Sequence, residues 1–195
     1  RGVEAFADGK LLLPERKNGI PDLLDEARWE MEMLLRMQAK EGDKAGMVHH
    51  KMHDVGWTGL GLAPGDDAME RTLRPVSTAA TLNLVAVAAQ ASRIWKTLDP
   101  AFSKRCLLAA EAGWAAAAKS PAVLAGPADK QGGGAYDDSD VRDEFYWAAA
   151  ELFLTTRSAV YEKAVQTSPL DDVLETSVEG EGAGTPTAMT WQRVD

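Results

Sequence analysis

Two consecutive alanine-dense segments, "STAATLNLVAVAAQASRIWKTLD" and "DPAFSKRCLLAAEAGWAAAAKS", constrain the fold of this chain more than any other feature. The first opens on Ser77 or Thr78 as a cap and continues for about five helical turns. The second opens on Asp99 as a cap with Pro100 in the first turn, where a missing N–H is harmless. Alanine lets helix axes approach closely and coiled-coil heptads are missing, so layered helix-on-helix packing is expected. A helix before them is expected in "PDLLDEARWEMEMLLRMQAK", with Pro21 at its first position and acids in the first turn, where the dipole favours negative charge. Ile20, Leu24, Ala27, Met31, Leu34, Leu35 and Gln38 follow a three-four spacing that gives it one apolar face. Further helices are expected over residues 141–156 and in "SAVYEKAVQTS". "TSVEGEGAGTPT" reads as a loop and "AMTWQRVD" as the opening turns of another helix. Trp29, Trp95, Trp114 and Trp147 fall in helical patterns and are assigned to the core. No credible strand pattern is found. Helical hairpins of similar length, roughly three with the last incomplete, suggest a toroid of helix pairs, of which this chain looks like a central piece.

Charge and cysteine content narrow the function. A net charge of −9 with no basic patch argues against nucleic acid, whose phosphates would be repelled. No run of eighteen apolar residues offers a membrane span, and the N-terminal stretch lacks the basic-then-apolar layout of a signal peptide. Cys106 is the only cysteine, so neither an internal disulfide nor a thiolate cluster can form; in "KRCLLAA" it reads as a small buried apolar residue.

Residues 42–76 form a long Gly-rich segment broken by Pro64 and Pro75, and loops of that length are ordered for function or disordered. Trp57, Met47, Met52 and three histidines favour order and function. His49 and His53 have zinc-ligand spacing for a helix, but the glycines at 46 and 56 argue for a loop. Trp57 and Tyr136 are candidates for stacking on sugar C–H faces, with loop packing as the plainer alternative. The triple glycine 132–134 reads as a flexible entry to Tyr136.

The stretch "GGGAYDDSDVRDEFYWAAAELFLTT", residues 132–156, carries five acids between Asp137 and Glu144. Hard oxygen in that number, without nearby His or Cys, suits calcium rather than zinc or copper, although the glycine and glutamate positions of an EF-hand are lacking. The alternative is a solvated helix start with Asp140 as cap and Asp143 and Glu144 on the dipole.

Four blocks in order, "NGIPDLLDEARWEMEMLLRMQ", "STAATLNLVAVAAQASRIW", "DPAFSKRCLLAAEAGW" and "GGGAYDDSDVRDEFYWAAAELFLTT", resemble the catalytic domain of glycoside hydrolase family nine, the inverting cellulases. The resemblance implies an all-α (α/α)6 barrel, of which this chain would be an incomplete, central portion of about three hairpins. It implies hydrolysis of cellulose-like β-1,4-glucan by an aspartate pair and a glutamate. Neither family motif is present, so no catalytic residue is assigned and the chain alone is expected to be inactive. The pair Asp22/Asp25 belongs to the "IPDLLDE" helix start and is not a substitute. By the same resemblance, His50 and Lys51 match a His-Lys pair bordering the cleft, and His50 joins Trp57 and Tyr136 as a substrate-binding candidate. A structural calcium ion is implied at the carbonyls of Ser139 and Asp140 and the carboxylates of Asp143 and Glu144, with a further position near Gln192. A secreted or periplasmic protein is implied, with cello-oligosaccharide and the rest of the catalytic domain as partners. Without those missing portions, apolar faces would be exposed and the piece prone to aggregate. An exo-acting glucosidase or glucosaminidase of the same fold, or a non-catalytic helical binding module, remain the alternatives.

Overall fold

Helix α2 (Thr78–Trp95) is buried on most of its surface, with Leu82, Val85, Ala86, Ala88 and Ala89 fully inaccessible. This computed structural model describes residues 6–126, 130 and 132–171. Before α2 come α1 (Asp22–Arg36) and four short strands, β1 (Val48–His49), β2 (Met52–Asp54), β3 (Arg71–Leu73) and β4 (Val76–Ser77). After it come α3 (Pro100–Lys119), α4 (Arg142–Thr156) and α5 (Ala159–Gln166). Helix α2 packs chiefly on α3 and α4, and α5 packs on α4.

The expected caps form. Ser77 accepts the Ala80 N–H at 3.2 Å, and Asp99 accepts from Ala101 and Phe102 at 3.1 and 3.0 Å. Small residues set the close approach. Gly113 on α3 lies so near α2 that a Cβ there would stand 2.8 Å from Val85 Cγ2. Aromatic joints close the corners: Trp95 meets Phe102 edge-on at 5.4 Å, and Trp114 meets Phe145 and Tyr161 edge-on at 5.8 and 5.6 Å. The guanidinium of Arg28 sits over Phe102 at 4.4 Å and pairs with Asp99 at 2.9 Å, tying α1 to this corner. Cys106 is fully buried, and burial pushes its thiol up to about 11, so it stays protonated and inert.

Several expectations need correction. Trp29 is not core; 69% of it is exposed on α1, and Ala27 also lies outside the buried face. Trp147 is only half-buried. Helix α1 begins at Asp22, with Pro21 preceding it. The 42–76 segment does contain strands. Val48 and His49 pair with Ser77 and Val76, and Met52, His53 and Asp54 with Leu73, Thr72 and Arg71, so both ladders run along one antiparallel ribbon. Between them His50 N–H donates to Pro75 O and Arg74 N–H to Lys51 O, at 3.2 and 3.0 Å. Strands of two or three residues are too short for an alternation to be read, and the paired residues stand up to 29 positions apart in the sequence, a separation about which local pattern is silent. The "TSVEGEGAGTPT" and "AMTWQRVD" stretches lie outside the described residues.

Asp22 does more than favour the dipole. Fully buried, it accepts the N–H groups of Gly9 and Leu11 at 2.8 and 2.5 Å, strapping the N-terminal segment to α1. The Leu11 bond, followed after the opposing effect of burial by the Gly9 and Lys10 backbone, lowers its pKa below the ordinary value of 3.8. A depressed carboxylate contributes stability that is present above its unfolded pKa and is lost as pH falls through the folded one. The strap is therefore expected to hold at neutral pH and release only in acid below the ordinary carboxylate range. Limited proteolysis of residues 9–17 across a pH series, against Asp22→Asn as control, checks this: the wild-type chain should become as cleavable as the variant only at the acid end.

Candidate functional site

The β-ribbon and the 132–140 segment meet just ahead of α4. Their contact is close backbone packing. Gly132, at φ +69°, lies against the ribbon so tightly that a Cβ would stand 1.9 Å from Asp54 O and 2.6 Å from His53 Nδ1. Gly133 rests on the His53 ring, whose Nδ1–H donates to Asp54 O at 2.5 Å. The triple glycine is thus a docked strip rather than a flexible entry, and at Gly132 glycine is required because any side chain would push the two segments apart. Lys51 adds a charged clasp: Nζ donates to Gly134 O at 2.5 Å and lies 5.7 Å from the centre of the Tyr136 ring.

The candidate sugar contacts are distributed around this junction. His50 is half-buried, with Nδ1–H donating to Pro75 O at 2.8 Å. It borders a shallow hollow of about 260 Å³ that Arg74, Val76, Leu124 and Gly126 also line. Tyr136 is 75% exposed and joined to the ribbon through Lys51; Trp57 is 74% exposed near the ribbon's tip. The structure therefore brings Tyr136 beside the residue that follows His50, while Trp57 stands further out. The docking of Gly132 onto Asp54 went unread in the sequence, although three glycines in a row were its signal. His49 and His53 lie on the ribbon and not on a helix.

The acidic stretch divides into two groups. Asp138 accepts the Asp140 N–H at 2.9 Å, and Asp140 accepts the Arg142 N–H at 3.1 Å while its carboxylate pairs with the Arg142 guanidinium. Asp140 is therefore not the helix cap; that position is Val141, and Asp140 instead closes a local turn. Asp143 and Glu144 behave differently. Glu144 is buried, and its Oε2 makes no hydrogen bond among the described residues. Burial first, then its hydrogen bond and charge interaction with Asp143, pushes its pKa up to about 8. A buried carboxylate beside a second one lacks positive charge, and a hard divalent cation would supply it, so the donors present fit calcium. Among the described residues no three His, Cys, Asp or Glu side chains converge on one point, so main-chain oxygens would have to complete the shell. Gln192 lies outside the described residues.

The profile of Glycosyl hydrolase family 9 matches residues 4–194. Endoglucanase C of Cellulomonas fimi is 54% identical over 188 residues, which are 96% of this chain and 17% of that protein. A cellulose 1,4-beta-cellobiosidase of Acetivibrio thermocellus is 51% identical over 175 residues, 85% of this chain and 19% of the relative. The crystal structure of a metagenome-derived glycoside hydrolase family 9 endoglucanase superposes with a TM-score of 0.77 at 41% identity, covering 84% of this chain and 29% of the other. The chain thus spans less than a fifth of either curated relative. The helical layers described above are an incomplete portion of the (α/α)6 barrel of these structures.

Proposed function

Because the chain belongs to glycosyl hydrolase family 9, we propose that it forms one stretch of the catalytic domain of an inverting β-1,4-glucanase acting on cellulose-like chains. The observation that supports this most is the 54% identity to Endoglucanase C along nearly the whole chain. Inversion needs a carboxylate to deprotonate water on one face of the sugar and a carboxylic acid to protonate the leaving oxygen on the other, roughly 6.5–9.5 Å apart. In this reading both groups lie outside residues 1–195, and the chain contributes wall and positioning. Tyr136 and Trp57 offer exposed aromatic faces to pyranose C–H groups, and His50 borders the same junction. An enzyme that attacks insoluble glucan must meet it outside the cell, so secretion belongs to the same proposal. The test is substrate range: the complete domain should cleave carboxymethylcellulose and cello-oligosaccharides. Failure on both, with activity on an unrelated glycan, would reject it.

Internal cleavage is the leading mode. Chain-end cleavage is the second reading, favoured by the 51% identity to a cellobiosidase. A rapid fall in viscosity relative to reducing sugar released selects the first; cellobiose as sole early product selects the second.

Calcium belongs to the same proposal. The carbonyls of Ser139 and Asp140 and the carboxylates of Asp143 and Glu144 would hold it, and its charge would bind the acidic stretch to the start of α4. Calorimetric titration of the chelator-treated complete domain should show heat and a raised melting temperature. Glu144→Gln should abolish both responses. No heat and an unchanged melting temperature in the parent would overturn the site.

A further inference from the structure

We propose that Lys51 is a positioning residue for the sugar site, holding the 132–136 strip and the Tyr136 ring in a single arrangement against the ribbon. The inference rests on the reading above that Tyr136 contacts the glucan. Three observations carry it. The Lys51 ammonium donates to Gly134 O at 2.5 Å, a charge-assisted bond to the backbone two residues before Tyr136. The same ammonium lies 5.7 Å from the Tyr136 ring centre, within cation–π range. Tyr136 itself sits at φ +52°, a left-handed conformation a bulky residue keeps only where its surroundings impose it.

The geometry explains why a side chain at 51 should control a ring at 136. Tyr136 folds back on its own strip: a Cβ at Gly134 would stand 3.1 Å from the Tyr136 Cζ. Holding the Gly134 carbonyl therefore fixes the surface on which the ring lies, and the ring itself is 75% exposed. Lys51 is on the ribbon between β1 and β2, and the ribbon is anchored to the helical layer where Thr81 Oγ1 accepts the Val48 N–H at 2.9 Å. The clasp thus transmits the rigidity of α2 to a loop with no regular structure of its own. A preset ring spares the glucan the cost of ordering it on binding.

The test compares Lys51→Met, Lys51→Arg and Tyr136→Ala in the complete catalytic domain, with two readouts. Chymotrypsin cleavage after Tyr136, mapped by mass spectrometry under native conditions, reads the clasp without any sugar. KM and kcat on a cello-oligosaccharide read its consequence. Loss of a charge-assisted hydrogen bond predicts that Lys51→Met speeds this cleavage and raises KM by about tenfold each, with kcat within about twofold. Lys51→Arg, which can donate to the same carbonyl, should return both to within about threefold of the parent. In the Tyr136→Ala background, Lys51→Met should change KM by less than about twofold, since coupled residues do not add. Unchanged cleavage in Lys51→Met overturns the inference. So does faster cleavage with an unchanged KM when Tyr136→Ala alone raises KM. If Tyr136→Ala leaves KM unaltered, the sugar-contact reading fails instead, and the cleavage result alone decides whether the clasp exists.

Discussion

Arg93→Met is expected to lower the stability of the fold by about 2–4 kcal/mol, below the range for a fully buried ion pair because the guanidinium is part-exposed. Arg93, near the end of α2, reaches across to α4, where its guanidinium donates to the Glu151 backbone oxygen at 3.0 Å and to Thr155 Oγ1 at 2.7 Å. It also pairs with the Glu151 carboxylate at 2.5 Å. Thr155 in turn donates to Ala89 O on α2 at 3.0 Å, so the network crosses the helix interface twice. The two partners are unequal. The Glu151 side chain is 7% exposed and the Arg93 side chain 31%. Removing Arg93 strands a carboxylate away from water, whereas removing Glu151 leaves a guanidinium that solvent can still reach. Glu151→Gln should therefore cost less, about 1–3 kcal/mol, the ordinary penalty for weakening a buried hydrogen bond. Urea melts of the two variants check the order; a larger loss in Glu151→Gln than in Arg93→Met would contradict this reading of the network.

That network shows where sequence reasoning stopped. Helix caps were legible because they act locally: Ser77 and Asp99 each serve N–H groups within three residues. The face of α1 that holds Met31, Leu34 and Leu35 was legible from its period. Trp29 was misassigned because an aromatic residue in a helical pattern carries no sign of which face the core takes, and Arg28 beside it, not Trp29, reaches the Trp95–Phe102 corner. The Arg93–Glu151 pair and the ribbon ladders depend on partners dozens of residues away, which periodicity does not encode. At the site, the way the residues assemble did not show in the sequence. Lys51 and Gly132–Gly134 look like an ordinary charge and a flexible tract, and only in three dimensions do they form one clasp. The acids divided against expectation too. Asp140 has an arginine two residues on to neutralise it, while Glu144 is folded inward beside Asp143.

The second large effect concerns catalysis. If residues 1–195 supply wall and positioning but neither acid nor base, the chain alone should release no sugar from cellohexaose, since each missing general acid or base is worth about 10²–10⁴ in rate. The complete domain, with both carboxylates in place, should cleave it, and the water that attacks from the face opposite the leaving group fixes the product's configuration. Inversion of a β-linkage yields the α-anomer first, before mutarotation scrambles it. A retaining pair would deliver the β-anomer through a covalent intermediate. The decisive measurement is proton NMR of the anomeric region in the first minutes of cellohexaose hydrolysis, run on the 195-residue chain and on the complete domain. The account predicts silence from the first and α-anomer from the second. Turnover by the chain alone, or β-anomer appearing first from the domain, would contradict it.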